Sequence, residues 1–197
     1  MGRSDLELTA RTGYAGGKAG SKDGKVCYRN SASISDFRSL GHAEVVSVKI
    51  PKKYYFDFAT VYFKLFNRIG DREDQFVEEG EELRNLVGFP GGVTSEYFVS
   101  RLVAAAKESG ERFGLSRGQG DDPDTRARAF VMDSVEFPFF IAEKYNQFHD
   151  GNDYGENYPF KYNNLADLLD KERVLGRSEC PNFEPESKYD LEELNLL

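Results

Sequence analysis

Tryptophan is missing from this 197-residue chain, and cysteine, histidine and methionine occur only twice each. Two cysteines, Cys27 and Cys180, build no disulfide framework and match no zinc spacing, so a reducing compartment is the default expectation. His42 and His149 stand far apart without a His-x-x-x-His context, and no metal is expected from them. No apolar run approaches the roughly 20 residues of a membrane-spanning helix. Met1-Gly2-Arg3 leads into no apolar leader, and Leu6 occupies the place where a myristoylation signal needs Ser or Thr. A soluble, cytoplasmic protein is the reading. Basic charge is also in deficit: 26 Lys and Arg stand against 34 Asp and Glu, a net charge of -8. Nucleic acid and anionic membrane, which need a basic patch, are excluded as expected partners.

What remains is enough for one domain with a sizeable core plus tails. Leu6, Leu8 and Ala10 alternate with polar residues, which predicts a strand that delivers Tyr14 to its end and breaks at Gly16-Gly17. Residues 18 to 40 read as a long loop. Val45, Val46, Val48 and Ile50 predict a second, largely buried strand closed by Pro51. Phe58, Val61, Tyr62 and Leu65 recur at helical spacing within 54–66, an amphipathic helix. Seven carboxylates against one arginine in 71–82 read as a solvated face. Leu86, Val87 and Phe89 then predict a strand, and Thr94 or Ser95 caps a helix carrying Phe98, Leu102, Val103 and Ala106. Residues 114 to 124 form a polar break, 129–137 a strand ended by Pro138, 140–149 a short helix, and 165–169 another. The segment 176–197, with Pro181, Pro185 and many charges, reads as a loosely held tail with one apolar turn docking at 194–197. Gly16-Gly17 and Gly91-Gly92 lack phosphate-loop spacing, and Asn152, Asp153 and Glu156 lack the ligand alternation of a calcium loop.

Four short strings stand out in order: Thr12 to Gly17 (Thr-Gly-Tyr-Ala-Gly-Gly), Val26-Cys27, Gly41 to Val46 (Gly-His-Ala-Glu-Val-Val), and Ala142 to Gln147 (Ala-Glu-Lys-Tyr-Asn-Gln). Together they resemble the peptide methionine sulfoxide reductase A family over residues 10 to 148, with gaps. The resemblance implies an α+β fold, a two-layer sandwich with a mixed, largely antiparallel sheet covered by helices. It is a ferredoxin-like reductase fold, here missing its first strand and helix. It places the reductase-like domain at 1–175 and the tail at 176–197. An exposed sheet edge, and dimerisation through it, follows as an expectation.

The implied activity is reduction of methionine S-sulfoxide in oxidised proteins and peptides, a protein-repair reaction in which a thiolate attacks sulfur and the oxygen takes a proton. The family's nucleophile lies in a Gly-Cys-Phe-Trp motif upstream of the first string, and no such motif exists in this chain. An incomplete or alternative start is one reading of that gap. By the resemblance the acid is Glu44, expected to be partly desolvated at the head of an apolar strand. Substrate contacts fall to Tyr14, Tyr28, Glu78 and Tyr145. Cys180 takes the place of a recycling thiol, with Cys27 as a packing residue. No bound cofactor is implied; thioredoxin or another thiol reductant would regenerate an active form.

Departures from the family pattern are specific. Gly24 and Leu83 stand where the family has two phenols that bind the sulfoxide oxygen, and Tyr28 is close enough in sequence to replace one. Asn146 stands where it has a histidine, and Glu78 where it has an aspartate. The alternative reading is therefore a non-catalytic binding or structural module that keeps the fold.

Overall fold

A computed structural model of the chain describes residues 8–18, 24–28, 36–72, 79–110, 114–148, 165–178 and 180. The architecture is α+β, and its strands divide into two three-stranded sheets where one mixed sheet was expected. In the first sheet, β1 (Arg11–Ala15) is flanked by β2 (Ala43–Ser47) and β6 (Phe140–Ile141), both antiparallel to it. In the second, β5 (Arg128–Asp133) lies between β3 (Leu86–Phe89) and β4 (Gly114–Arg117), both parallel to it. Three α-helices, α1 (Tyr55–Phe63), α2 (Glu96–Glu108) and α3 (Leu165–Lys171), and four short 3₁₀ turns complete the described elements.

Sequence explains β5 directly. Ala129-Phe130-Val131-Met132 is an unbroken buried run, as expected of a central parallel strand covered on both faces. Its two-residue period splits the core. Val131 joins Phe63, Phe66, Leu102, Ala105 and Ala106 beneath the paired helices α1 and α2, while Phe130 and Met132 pack with Phe137 and Leu86 on the opposite face. A third cluster of Tyr14, Val26, Phe37 and Ala142 covers β1.

Several expectations need correction. The polar break at 114–124 begins with β4, whose Gly-Leu-Ser-Arg holds one large apolar residue and forms a strand because β5 offers it a ladder. Phe140 to His149 is not a helix: β6 pairs with β1, and a 3₁₀ turn at Lys144–Asn146 follows. The buried face of α1 carries Phe56, Ala59, Phe63 and the adjoining Phe66, whereas Val61 and Leu65 are exposed. Nor is β2 largely buried, since only Ala43 is buried, Val45 and Ser47 are half-buried, and Glu44 and Val46 are exposed. The first strand begins at Arg11, with Leu8 exposed before it.

The tail boundary also shifts. Leu175 is buried, Arg11 donates through Nε to the Leu175 carbonyl (3.1 Å) and through Nη2 to that of Val174 (2.9 Å), and Cys180 is covalently bound to Cys27. Residues 176–178 and Cys180 are thus held to the domain; the docking turn expected at 194–197 lies outside the described residues. No helix among the described residues is long and apolar enough to cross a membrane.

Leu102 fills the seam between α2, α1 and β5. Leu102→Ala is expected to lower unfolding free energy by about 2–5 kcal/mol, read in urea titration as a lower midpoint at unchanged slope.

Candidate functional site

The four strings noted in the sequence converge around β1. Thr12 to Gly17 forms most of β1 and its exit, Gly41 to Val46 forms β2 in register beside it, Val26-Cys27 passes over it, and Ala142 to Gln147 continues from β6. Beyond Ile141 the chain leaves the sheet, and a side chain takes over the pairing. Gln147 accepts from the Thr12 N–H through Oε1 (2.9 Å) and donates through Nε2 to the Thr12 carbonyl (2.8 Å), while the Ala142 N–H also reaches that carbonyl (3.0 Å). Buried backbone groups of β1 are satisfied there by an amide.

The glycines and histidine of the first and third strings are explained by contact. Gly17 donates its N–H to His42 Nδ1 (3.1 Å), and a Cβ on Gly17 would lie 2.8 Å from that imidazole. Only glycine allows so close an approach. Arg84, 3% exposed, joins both strings from outside the sheet: Nη2 donates to the carbonyls of Gly16 (3.1 Å) and Gly41 (2.9 Å), and Nη1 to that of Glu81. Burial pushes the Arg84 pKa down, and the carboxylates of Asp122, Asp121, Glu81 and Asp124 oppose that shift.

At the centre is Glu143, 6% exposed. Its Oε2 accepts from the Tyr14 phenol (2.8 Å) and Asn146 Nδ2 (3.2 Å), and its Oε1 accepts from the Tyr28 N–H (2.8 Å). Asn146 Nδ2 also lies 3.4 Å from the Tyr14 oxygen. The Tyr14 ring stacks on Phe37 (4.6 Å), which stacks on Tyr28 (5.5 Å). Burial pushes the Tyr14 phenol far above its ordinary value. The charge of Glu143, the hydrogen bond to it and the charge of Glu44 act in the same direction, with Asn146 opposing. Tyr14 therefore stays a neutral donor, committed to Glu143.

Glu44 stands directly across the strand pair from Tyr14, so the two share a face of the sheet. It is exposed, which corrects the expected desolvation: the outward half of β2 meets solvent. Tyr28 contributes its backbone N–H and a half-buried ring. Tyr145 lies in the 3₁₀ turn between Lys144 and Asn146, and Glu78 falls outside the described residues.

The cysteines are the largest departure. Cys27 is buried as expected, but Cys180 is not a lone thiol; the two form a disulfide across 153 positions, with Cα atoms 5.8 Å apart. The chain contains no other cysteine. Glu143 and Arg84 were not singled out as site residues from sequence. The only available signal for Glu143 was its position in the Ala-Glu-Lys-Tyr-Asn-Gln string, because its partners come from three separate segments.

Comparison with known proteins adds no relative: no family model, no curated protein and no solved structure matches the chain.

Tyr14 also predicts an alkaline dependence. Below the ordinary tyrosine pKa of about 10 the phenol is neutral in both folded and unfolded chains, and it adds no pH dependence. Above it the unfolded chain ionises first, so stability falls as pH rises. Tyr62, also raised by burial, acts in the same sense. Tyr14→Phe should remove part of the fall, measured by urea titration between pH 9 and 11 (roughly one unit either side of the ordinary value).

Proposed function

We propose that this chain is a module of the methionine sulfoxide reductase A type which recognises methionine sulfoxide in oxidised proteins and, in its disulfide-bonded form, does not turn it over. The observation that carries the reading is the pairing of Tyr14 with Glu44 across β1 and β2, which sets the family's acid position beside a buried phenol at the meeting point of all four matching strings. Glu44 is the group that faces solvent there, while the Tyr14 hydrogen is engaged by Glu143. Only the protonated form of this exposed carboxyl would donate to the sulfoxide oxygen, which a thioether lacks, so sulfoxide binding is expected to strengthen as pH falls.

The non-catalytic half of the reading is supported by the cysteines. A thiolate is the required nucleophile, and both sulfurs are engaged with one another. Thioredoxin or another dithiol is the class of reductant that would open that bond. The cytoplasmic, reducing setting expected from the cysteine count is favoured less once the two cysteines pair, because disulfides persist mainly in oxidising compartments.

The test is a titration of the oxidised protein with a methionine S-sulfoxide peptide and its thioether counterpart. Preferential binding of the sulfoxide is expected, weakened about tenfold by Glu44→Ala, the equivalent of one hydrogen bond. Equal binding of both peptides would remove the family reading. In a parallel assay with dithiothreitol, which opens the Cys27–Cys180 bond, methionine should still form no faster than without protein, because neither cysteine stands in a Gly-Cys-Phe-Trp motif; turnover abolished by Cys180→Ser would overturn the non-catalytic half.

A further inference from the structure

We propose that Cys27, Cys180 and Glu143 form a redox-gated site for a thiophilic divalent metal ion, zinc by the chemistry of its donors. This inference is independent of sulfoxide recognition. The two Sγ atoms and a Glu143 carboxylate oxygen all lie within 4.8 Å of one another, although they come from three segments of chain. A tetrahedral zinc ion with bonds of about 2.3 Å to sulfur and about 2.0–2.2 Å to oxygen holds its ligands roughly 3.5–3.8 Å apart. Once the sulfur–sulfur bond opens, the three donors need only small movements to reach that spacing.

The surroundings are suited to a metal ligand. A carboxylate offers about four lone-pair positions, and Tyr14, Asn146 and the Tyr28 N–H account for three on Glu143, leaving one. Ligating carboxylates are held in this way by an outer layer of donors that fixes their aim. Cys180 makes further contacts beside its bond to Cys27. Its N–H meets Ser178 Oγ (3.3 Å), its sulfur lies 3.3 Å from the Val26 carbonyl oxygen, and Arg11 holds the carbonyls of Val174 and Leu175. The thiol would therefore stay near its partners after reduction.

Charge and softness choose the ion. Two thiolates and a carboxylate carry three negative charges in a largely buried place, which a divalent cation offsets. Thiolate donors favour zinc over magnesium or calcium. The fourth position of a tetrahedral ion falls to water, as in zinc sites with three protein ligands.

The gate is a balanced exchange. An external dithiol donates two electrons and two protons to the Cys27–Cys180 bond, giving two thiols here and a disulfide on the donor. Metal binding then releases the two thiol protons to solvent. With the disulfide closed, neither sulfur is a thiolate and the ion has no anchor.

The experiment uses the full chain, oxidised or reduced by a phosphine, titrated anaerobically with Co²⁺ as a spectroscopic stand-in and then with Zn²⁺. One Co²⁺ per reduced chain, with thiolate-to-cobalt absorption that Zn²⁺ bleaches, is expected, and none with the oxidised chain. Cys180→Ser should abolish that absorption, and Glu143→Gln should weaken binding about 10- to 100-fold. Should either variant misfold, protection of both thiols of the unsubstituted reduced chain from alkylation by stoichiometric Zn²⁺ serves as the second readout. Absence of cobalt binding and of thiol protection in the reduced chain, equal binding by the oxidised chain, or absorption that survives Cys180→Ser in a folded variant would each overturn the proposal.

Discussion

A buried carboxylate must be satisfied or it destabilises the fold, and Glu143 turns that requirement into an organising device. Its three donors come from β1, from the segment following Cys27 and from the 3₁₀ turn after β6. Bonds to a charged acceptor contribute about 1.5–3 kcal/mol each, and truncating the acceptor would leave buried donors without partners. The stack of Tyr14, Phe37 and Tyr28 is fixed by the same contacts, because two of its three residues are bound to Glu143. The geometry at this end of β1 therefore depends on one side chain.

Arg84 performs a complementary task at the exit of β1. It binds the carbonyls of Gly16 and Gly41, the positions where the first and third strings turn. A guanidinium suits this place because its planar fork reaches several carbonyls at once, which a lysine ammonium cannot reproduce with the same geometry. Its burial lowers the favourability of its charge, and the aspartates at 121, 122 and 124 offset that cost. The acidic excess of the chain thus has a local purpose as well as a surface one.

The parts of this fold legible in sequence are those written in hydrophobic period. β5 is plain because its four apolar residues run unbroken, and α2 because its buried residues repeat at roughly three to four positions. β4 was hidden because a strand with one large apolar residue owes its existence to a neighbour far along the chain. β6 reads as helix in the sequence because two apolar residues before Ala-Glu-Lys carry no period of their own, and β1 decides their conformation. Division into two sheets was equally invisible, since strand pairing is a tertiary choice. At the site, Tyr14 and Glu44 from two of the strings stand opposite one another on β1 and β2, yet Glu143 and Arg84 gain their roles only from contacts between distant segments. Two cysteines allow one intramolecular pairing, but a separation of 153 residues gave no local reason to draw it.

That separation has a topological consequence. Cys27 and Cys180 close a covalent ring that encloses every described element except β1, so most of the domain is cyclic in its oxidised form. A protease that nicks any loop between the two cysteines opens the ring without dividing the molecule; both fragments remain one mass until the sulfur–sulfur bond is reduced. Backbone continuity and molecular integrity are uncoupled across this stretch, and the redox state of two sulfur atoms decides whether a single cut matters.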